Sequence, residues 1–179
     1  MTAPAPETME ELKSLIREVP DFPKPGILFK DITPLVGDAD GLRRAVACLA
    51  DPFREAGIDK VVGIESRGFI FGAAVAERLG AGFVPARKPG KLPADTVRVD
   101  YALEYGTDAL EMHEDAVGDG ERVLVVDDLL ATGGTARAAA DLIAMRGALV
   151  HAFAFLVELD ALRGRERLAG HDIFAAVHY

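Results

Sequence analysis

Apolar residues recur at helical spacing through Met9, Leu12, Leu15, Ile16 and Val19. A T-M-E-E capping pattern at Thr8 precedes them, and Pro20 ends the run. Pro20, Pro23, Pro25 and Pro34 then punctuate the chain into and through FPKPGILFKDITPLVG, which predicts irregular structure and excludes a long helix or central strand. Residues 40–56 read as a helix, bent or restarted at Pro52 and stopped by Gly57. KVVGIE is a short unbroken apolar run, hence a buried strand. RGFIFGAAVAERLG is a helix closed by Gly80, and GFVPAR is a second strand.

A Pro/Gly loop, KPGKLPADT, leads into alternating Val97, Val99, Tyr101 and Leu103. A turn at 105–108 follows, and alternation resumes at Leu110 and Met112. That is a two-stranded excursion with one polar face. RVLVVDD returns to a buried strand, TARAAADLIAMRG is a helix with Gly147 just past its end, and ALVHAFAFLVEL is another strand. LRGRERL reads as a short helix and HDIFAAV as a last strand. Internal repeats, low-complexity tracts and linkers are absent.

Buried strands alternating with helices predict an α/β fold, with a mostly parallel sheet and helices on both faces. At 179 residues the chain suits a single domain, 1–179, with a full core. Ligands of such sheets bind at the carboxyl ends of the strands. Glu65-Ser66-Arg67, Arg87-Lys88, Asp127-Asp128 and Glu158-Leu159 all fall at that edge, so charge collects in one place.

Twenty Lys and Arg against 29 Asp and Glu give a net charge of −9. That argues against nucleic-acid or anionic-membrane partners, which need a broad basic surface. The one cysteine, Cys48, leaves no internal disulfide or CxxC metal site and reads as a small core residue. The first residues lack a basic stretch followed by an apolar one. The most apolar segments, GFIFGAAVA and HAFAFLV, are too short to cross a bilayer. The expectation is a soluble cytoplasmic protein. The four histidines are scattered and predict no metal cluster.

Candidate chemistry centres on VLVVDDLLATGGTA. In Ala131-Thr132-Gly133-Gly134-Thr135, glycines let backbone N–H groups turn toward a ligand, and the following helix N-terminus adds positive potential suited to a phosphate. A tight turn N-capped by Thr132 or Thr135 is the simpler alternative. The loop is neither a Walker A motif nor G-x-G-x-x-G, so nucleotide hydrolysis and dinucleotide binding lose support. Asp127 and Asp128 stand just upstream. Adjacent carboxylates repel, so the pair needs a partner. A ribose whose 2′- and 3′-hydroxyls donate to the two acids, with its 5′-phosphate in the loop, is preferred over a direct Mg²⁺ site.

Here the chain resembles the type I phosphoribosyltransferase family. VLVVDDLLATGGTA is similar to that family's signature for phosphoribosyl pyrophosphate (PRPP). FPKPGILFKDITPL, GIESRGFIFG, ARKPGKLP, YALEYGTDALEMH and LVELDALRGRERL resemble its adenine-using members, from about residue 21 to 168. The resemblance implies Mg²⁺-dependent transfer of the phosphoribosyl group of PRPP to adenine, giving AMP and pyrophosphate. It also implies a small hood with its helix at about 1–35, a flexible loop and flap at about 88–113, and a homodimer.

By that resemblance Asp127 and Asp128 hold the ribose hydroxyls, and Ala131, Thr132, Gly133, Gly134 and Thr135 the 5′-phosphate. Glu65, Ser66, Arg67, Arg87, Lys88 and Lys91 serve pyrophosphate, often across a cis peptide at Glu65–Ser66, and Arg87 extends toward the neighbouring subunit. Phe29 and Leu159 sandwich the purine while Leu28 backbone groups read its 6-amino edge. Catalysis falls to Glu104, which handles a purine-ring proton at N7 or N9, and to Arg67. Tyr105 helps close the flap. Mg²⁺ enters through PRPP, with no dedicated protein site. Glu65 and Lys30 stand where some members carry Asp and Arg. Two rivals differ in signature. A non-catalytic PRPP-binding regulator would add a DNA-binding segment or lose Glu104, and an enzyme for another purine would differ in GILFKDITP and LVELDALRGR.

Overall fold

The computed structural model describes residues 6–103 and 106–179. Its centre is a five-stranded parallel sheet in the order β4 (Gly82–Ala86), β3 (Lys60–Ile64), β7 (Arg122–Leu130), β8 (Leu149–Glu158), β9 (Asp172–His178). Alternate side chains of β7 enter different cores. Leu124 and Val126 join Leu12 of α1 (Pro6–Ser14), Leu35 of α2 (Thr33–Gly37), Leu49 of α3 (Ala39–Ala50), and Phe71 and Val75 of α4 (Gly68–Leu79). Val123 and Val125 join Leu142 and Ile143 of α5 (Gly134–Met145), and Leu110 and Met112 of the hairpin β5 (Thr96–Leu103) and β6 (Gly106–His113). A strand buried on both faces has no polar positions to spare until it leaves the core, which accounts for the unbroken VLVV. The helix after residue 39 stops at Ala50, continues through a 3₁₀ turn at Asp51–Phe53, and ends near Gly57 at φ 64°.

Several local expectations are corrected. The first helix begins at Pro6, ahead of the Thr8 capping pattern, and ends at Ser14. Arg17–Pro20 is instead a strand, β1, pairing antiparallel with β2 (Leu28–Asp31), so the segment read as irregular carries half of a small two-stranded sheet. Apolar Ile16 and Val19 fit the helical repeat, but the β2 ladder captures the backbone. The turn between β1 and β2 closes through Asp21, at φ 57°, whose carboxylate accepts from Gly26 N at 2.7 Å. Residues 33–37 form the short helix α2 with Pro34 in its first turn, where a missing N–H costs nothing.

In the excursion, Leu103 pairs with Gly106, so Thr107 and Asp108 belong to β6 rather than to the turn. LRGRERL forms two 3₁₀ turns, Asp160–Leu162 and Gly164–Leu168, broken at Arg163 with φ 51°. No helix among the described residues is long and apolar enough to cross a membrane.

Candidate functional site

The carboxyl ends of β3 and β7 and the start of α5 surround a cavity of about 400 Å³. It is lined by Glu65, Ser66, Arg67, Lys88, Asp127, Asp128 and Thr135, with Ile64 and Leu129. β7 runs to Leu130, so the paired acids lie within the strand rather than beyond it. Asp128 is only 5 % exposed, and its N–H donates to the Asp127 Oδ1 at 2.9 Å. Burial pushes Asp127 well above the ordinary carboxylate range, and the neighbouring Asp128 charge adds to the shift. Burial also raises Asp128, against the pull of Arg67, whose Nε lies 2.8 Å from Asp128 Oδ2. Gly68 allows α4 to start against this pair, since a Cβ there would lie 2.7 Å from Asp127 Oδ1.

A second cavity, about 70 Å³, is formed by residues 131–136 with Asp127, Leu129 and Leu130. Gly133, rather than Thr132 or Thr135, occupies the N-cap of α5, at φ 79° and without a side-chain cap bond. The start of α5 therefore lines the cavity without a side-chain cap on its first N–H groups, a geometry suited to phosphate. The loop is seated on the segment after β8. A Cβ on Gly133 would lie 2.4 Å from Gly164 O, and one on Gly164 would lie 2.4 Å from Ala131 O.

Cations reach the site unequally. Arg67 and Lys88 line the larger cavity, whereas Arg87 and Lys91 stand outside its lining. Arg87 Nε donates to Glu65 Oε2 at 3.0 Å, and another of its guanidinium nitrogens donates to Lys91 O at 3.1 Å. Lys88 pairs with Asp108 and donates to the Tyr101 hydroxyl at 3.3 Å. The Thr135 hydroxyl donates to Tyr101 Oη at 3.3 Å, so Tyr101 of β5 touches both Lys88 and the first turn of α5. Glu65–Ser66 is a cis peptide.

Residues of β1 and β2 and of the segments beside them form a third cavity of about 280 Å³, lined by Val19, Phe22, Phe29, Asp31 and Thr33. Phe22 and Phe29 meet edge to face at 5.1 Å, and the Arg67 guanidinium lies 5.4 Å from the Phe29 ring centre. Leu28 is exposed. Leu159 follows β8, half-buried, with its N–H on Leu130 O at 3.0 Å. Asp31 is held by Arg17 and by the Thr33 N–H and hydroxyl, with Thr33 the larger influence, and its pKa drops to about 2.

Glu104 and Tyr105 lie outside the described residues. Sequence reasoning missed Tyr101, Asp108 and Glu111. Glu111 is buried and accepts from Gly90 N at 3.0 Å, which anchors the loop behind Lys88. Tyr101 was legible only as one apolar member of an alternating strand, and Asp108 as a turn residue. Their roles come from the pairing of β5 with β6. Among the described residues, the one group of three metal-capable side chains within mutual reach is Glu158, Asp160 and His178, outside these cavities.

Taken together, an uncapped helix N-terminus, two adjacent acids (Asp128 buried, Asp127 partly so) and flanking cations can hold a sugar carrying phosphate at one end and a polyanion at the other. The family model described as phosphoribosyl transferase domain matches residues 39–175. A relative from Solibacter usitatus (strain Ellin6076), adenine phosphoribosyltransferase, is 60 % identical over 171 residues, covering 96 % of this chain and 99 % of its own. The crystal structure of adenine phosphoribosyltransferase from Thermoanaerobacter pseudethanolicus superposes with a TM-score of 0.93 at 53 % identity, over 96 % of this chain and 99 % of that one. The Saccharomyces cerevisiae enzyme, complexed with an imino-altritol bisphosphate and adenine, gives 0.90 at 39 % identity, over 96 % and 99 % of the two chains.

Proposed function

The chain belongs to the phosphoribosyl transferase family, and we infer that it transfers the 5-phosphoribosyl group of PRPP to adenine, giving AMP and pyrophosphate. The observation that carries this reading is the shared cavity of Asp127, Asp128 and Arg67, opening beside the uncapped start of α5. The 5′-phosphate occupies the residue 131–135 loop, the ribose hydroxyls donate to the paired acids, and pyrophosphate lies toward Ser66, Arg67 and Lys88. Arg87 and Lys91 act from the rim, and Glu65 orients Arg87 through their 3.0 Å bond.

The bond between ribose C1 and the pyrophosphate oxygen breaks, and its electron pair departs with pyrophosphate. A purine nitrogen then bonds to C1. Positive charge builds on the sugar meanwhile, as in glycoside cleavage. Arg67 and Lys88 stabilise the departing anion, and the acids lower the potential around the ribose. Phe29 and Leu159 form the walls for the purine, the Leu28 backbone reads its amino edge, and the hairpin β5–β6 excludes water. Glu104 takes the purine-ring proton, and Tyr105 closes the tip.

Mg²⁺ suits the hard oxygen donors that Glu65, Asp127 and Asp128 present to this cavity. It would enter on PRPP, with substrate oxygens as most of its ligands, and neutralise pyrophosphate charge. A homodimer belongs to the same reading. Ile70 of α4 and Phe83 of the edge strand β4 are 40 % and 36 % exposed, and Phe69 packs on Phe83 at 5.8 Å. The Phe69–Phe83 pair lies beside Arg87, and these exposed apolar side chains suit a second copy. A cytoplasmic location and a single-domain organisation complete the proposal. The decisive experiment offers adenine, hypoxanthine, guanine and uracil with PRPP and Mg²⁺. AMP should form fastest, and faster turnover of a 6-oxopurine would refute the adenine assignment.

A further inference from the structure

Tyr179 touches both sides of the base site by different means. Its main chain brackets Leu159: Tyr179 N donates to Glu158 O at 3.0 Å, and Asp160 N donates to the Tyr179 main-chain oxygen at 2.9 Å. Its ring carries two ammonium groups. Lys30 Nζ lies 3.7 Å from the ring centre and Lys13 Nζ lies 4.7 Å from it. Lys30 follows Phe29 directly in β2, its side chain is only 8 % exposed, and it also pairs with Glu18 of β1. Lys13 anchors α1 to the same place by donating to His178 O at 3.2 Å.

The geometry matters because the two walls come from separate pieces of chain. Phe29 sits on the small β1–β2 sheet, which shares no ladder with the five-stranded sheet whose strand β8 leads into Leu159. The spacing of the walls therefore depends on side-chain contacts, and an aromatic face holding a desolvated ammonium is a directional one. Successive β2 side chains point to opposite faces, so Lys30 can hold Tyr179 while Phe29 keeps its own ring on the base side.

We propose that Tyr179 is a positioning residue for the purine: its main chain fixes Leu159 and its ring, through Lys30, fixes Phe29. The inference rests on the adenine-site reading above. Burial, followed by the charges of Glu18 and Glu10, pushes the Tyr179 phenol above its ordinary value, so the ring stays neutral at working pH.

Steady-state kinetics with adenine, PRPP and Mg²⁺ test it on Tyr179→Leu, Tyr179→Phe and Lys30→Met, with melting temperatures alongside. Tyr179→Leu and Lys30→Met should each raise the adenine KM by about three- to thirty-fold, the range of a partly desolvated cation–π contact. The KM for PRPP and kcat should stay within about two-fold. Tyr179→Phe, which keeps the ring, should match the unsubstituted protein. The double variant Tyr179→Leu/Lys30→Met should raise the adenine KM by less than the product of the two single effects, because both remove the Lys30–Tyr179 contact. If Tyr179→Leu does not fold, Lys30→Met carries the same test. An unchanged adenine KM in the folded variants overturns the inference alone, as does a parallel loss in every parameter. An unsubstituted protein that makes no AMP from adenine overturns the functional reading and this inference with it.

Discussion

Arg67 places its Nε 2.8 Å from Asp128 Oδ2, across the cavity assigned to PRPP. Both groups have better partners in the proposed complex: pyrophosphate for Arg67, and a ribose hydroxyl for Asp128. Without substrate, the ion pair compensates a carboxylate that is almost fully buried. PRPP binding would exchange this internal pair for two contacts with the substrate. Arg67→Met should lower kcat/KM for PRPP by about 10- to 150-fold, matching one charge-assisted contact of about 1.5–3 kcal/mol. Adenine KM should change less. An adenine KM raised as far as the PRPP KM would show that Arg67 supports the site generally rather than facing pyrophosphate.

Gly133 should not tolerate a side chain. It combines φ 79° with a position at which a Cβ would lie 2.4 Å from Gly164 O, backbone that cannot swing away like a side chain. Gly133→Ala should therefore displace the phosphate loop as well as strain it, costing about 1–3 kcal/mol of stability. A melting point lower by about 2–12 °C and a raised PRPP KM are expected. A normal PRPP KM would argue that the loop does not grip the 5′-phosphate.

The sheet and the acid–glycine loop were legible because each is encoded locally. VLVV specifies burial on both faces, and glycines at 133 and 134 specify a turn free of side chains. The antiparallel pairing of β1 with β2 was not legible. Arg17–Pro20 becomes a strand only because Leu28–Asp31 folds back on it, and Ile16 and Val19 satisfy a helical period equally well. The same limit hid Tyr101 and Asp108, paired across the hairpin and joined through Lys88. A residue whose role depends on the element opposite leaves no mark in its own segment.

Glu104 separates a catalytic flap from a solvated hairpin tip. If it moves the purine proton, Glu104→Leu should bind PRPP nearly as before and lose about 10²–10⁴-fold in turnover. Glu104→Gln, able to hydrogen-bond but not to exchange a proton, should fall between. Single-turnover measurements are needed, because slow product release can conceal a chemical defect. A Leu variant with an unaltered single-turnover rate would leave the reaction to positioning and electrostatics.

The paired acids should also set how stability responds to pH. Asp127 and Asp128 both sit above the ordinary carboxylate range, chiefly through burial. As pH rises past about 4, the unfolded chain releases these protons first, while the native pair still holds its own. The native state then binds more protons, so stability falls as pH climbs toward the raised values, by up to about 1.4 kcal/mol per pH unit for one proton. Asp31, lowered to about 2, acts in the opposite sense: its contribution is present above about 4 and is lost as pH falls toward 2. Melting curves of the unliganded protein should therefore peak between these arms. Asp127→Asn isolates the upper one, since its amide oxygen can still accept the Asp128 N–H that Asp127 Oδ1 accepts at 2.9 Å. The variant should gain stability over the unsubstituted protein as pH rises from about 4, yet bind PRPP more weakly for lack of a charged acceptor. A stability difference flat with pH would mean that the acids ionise normally, and that the cavity does not hold them as a strained pair awaiting the ribose.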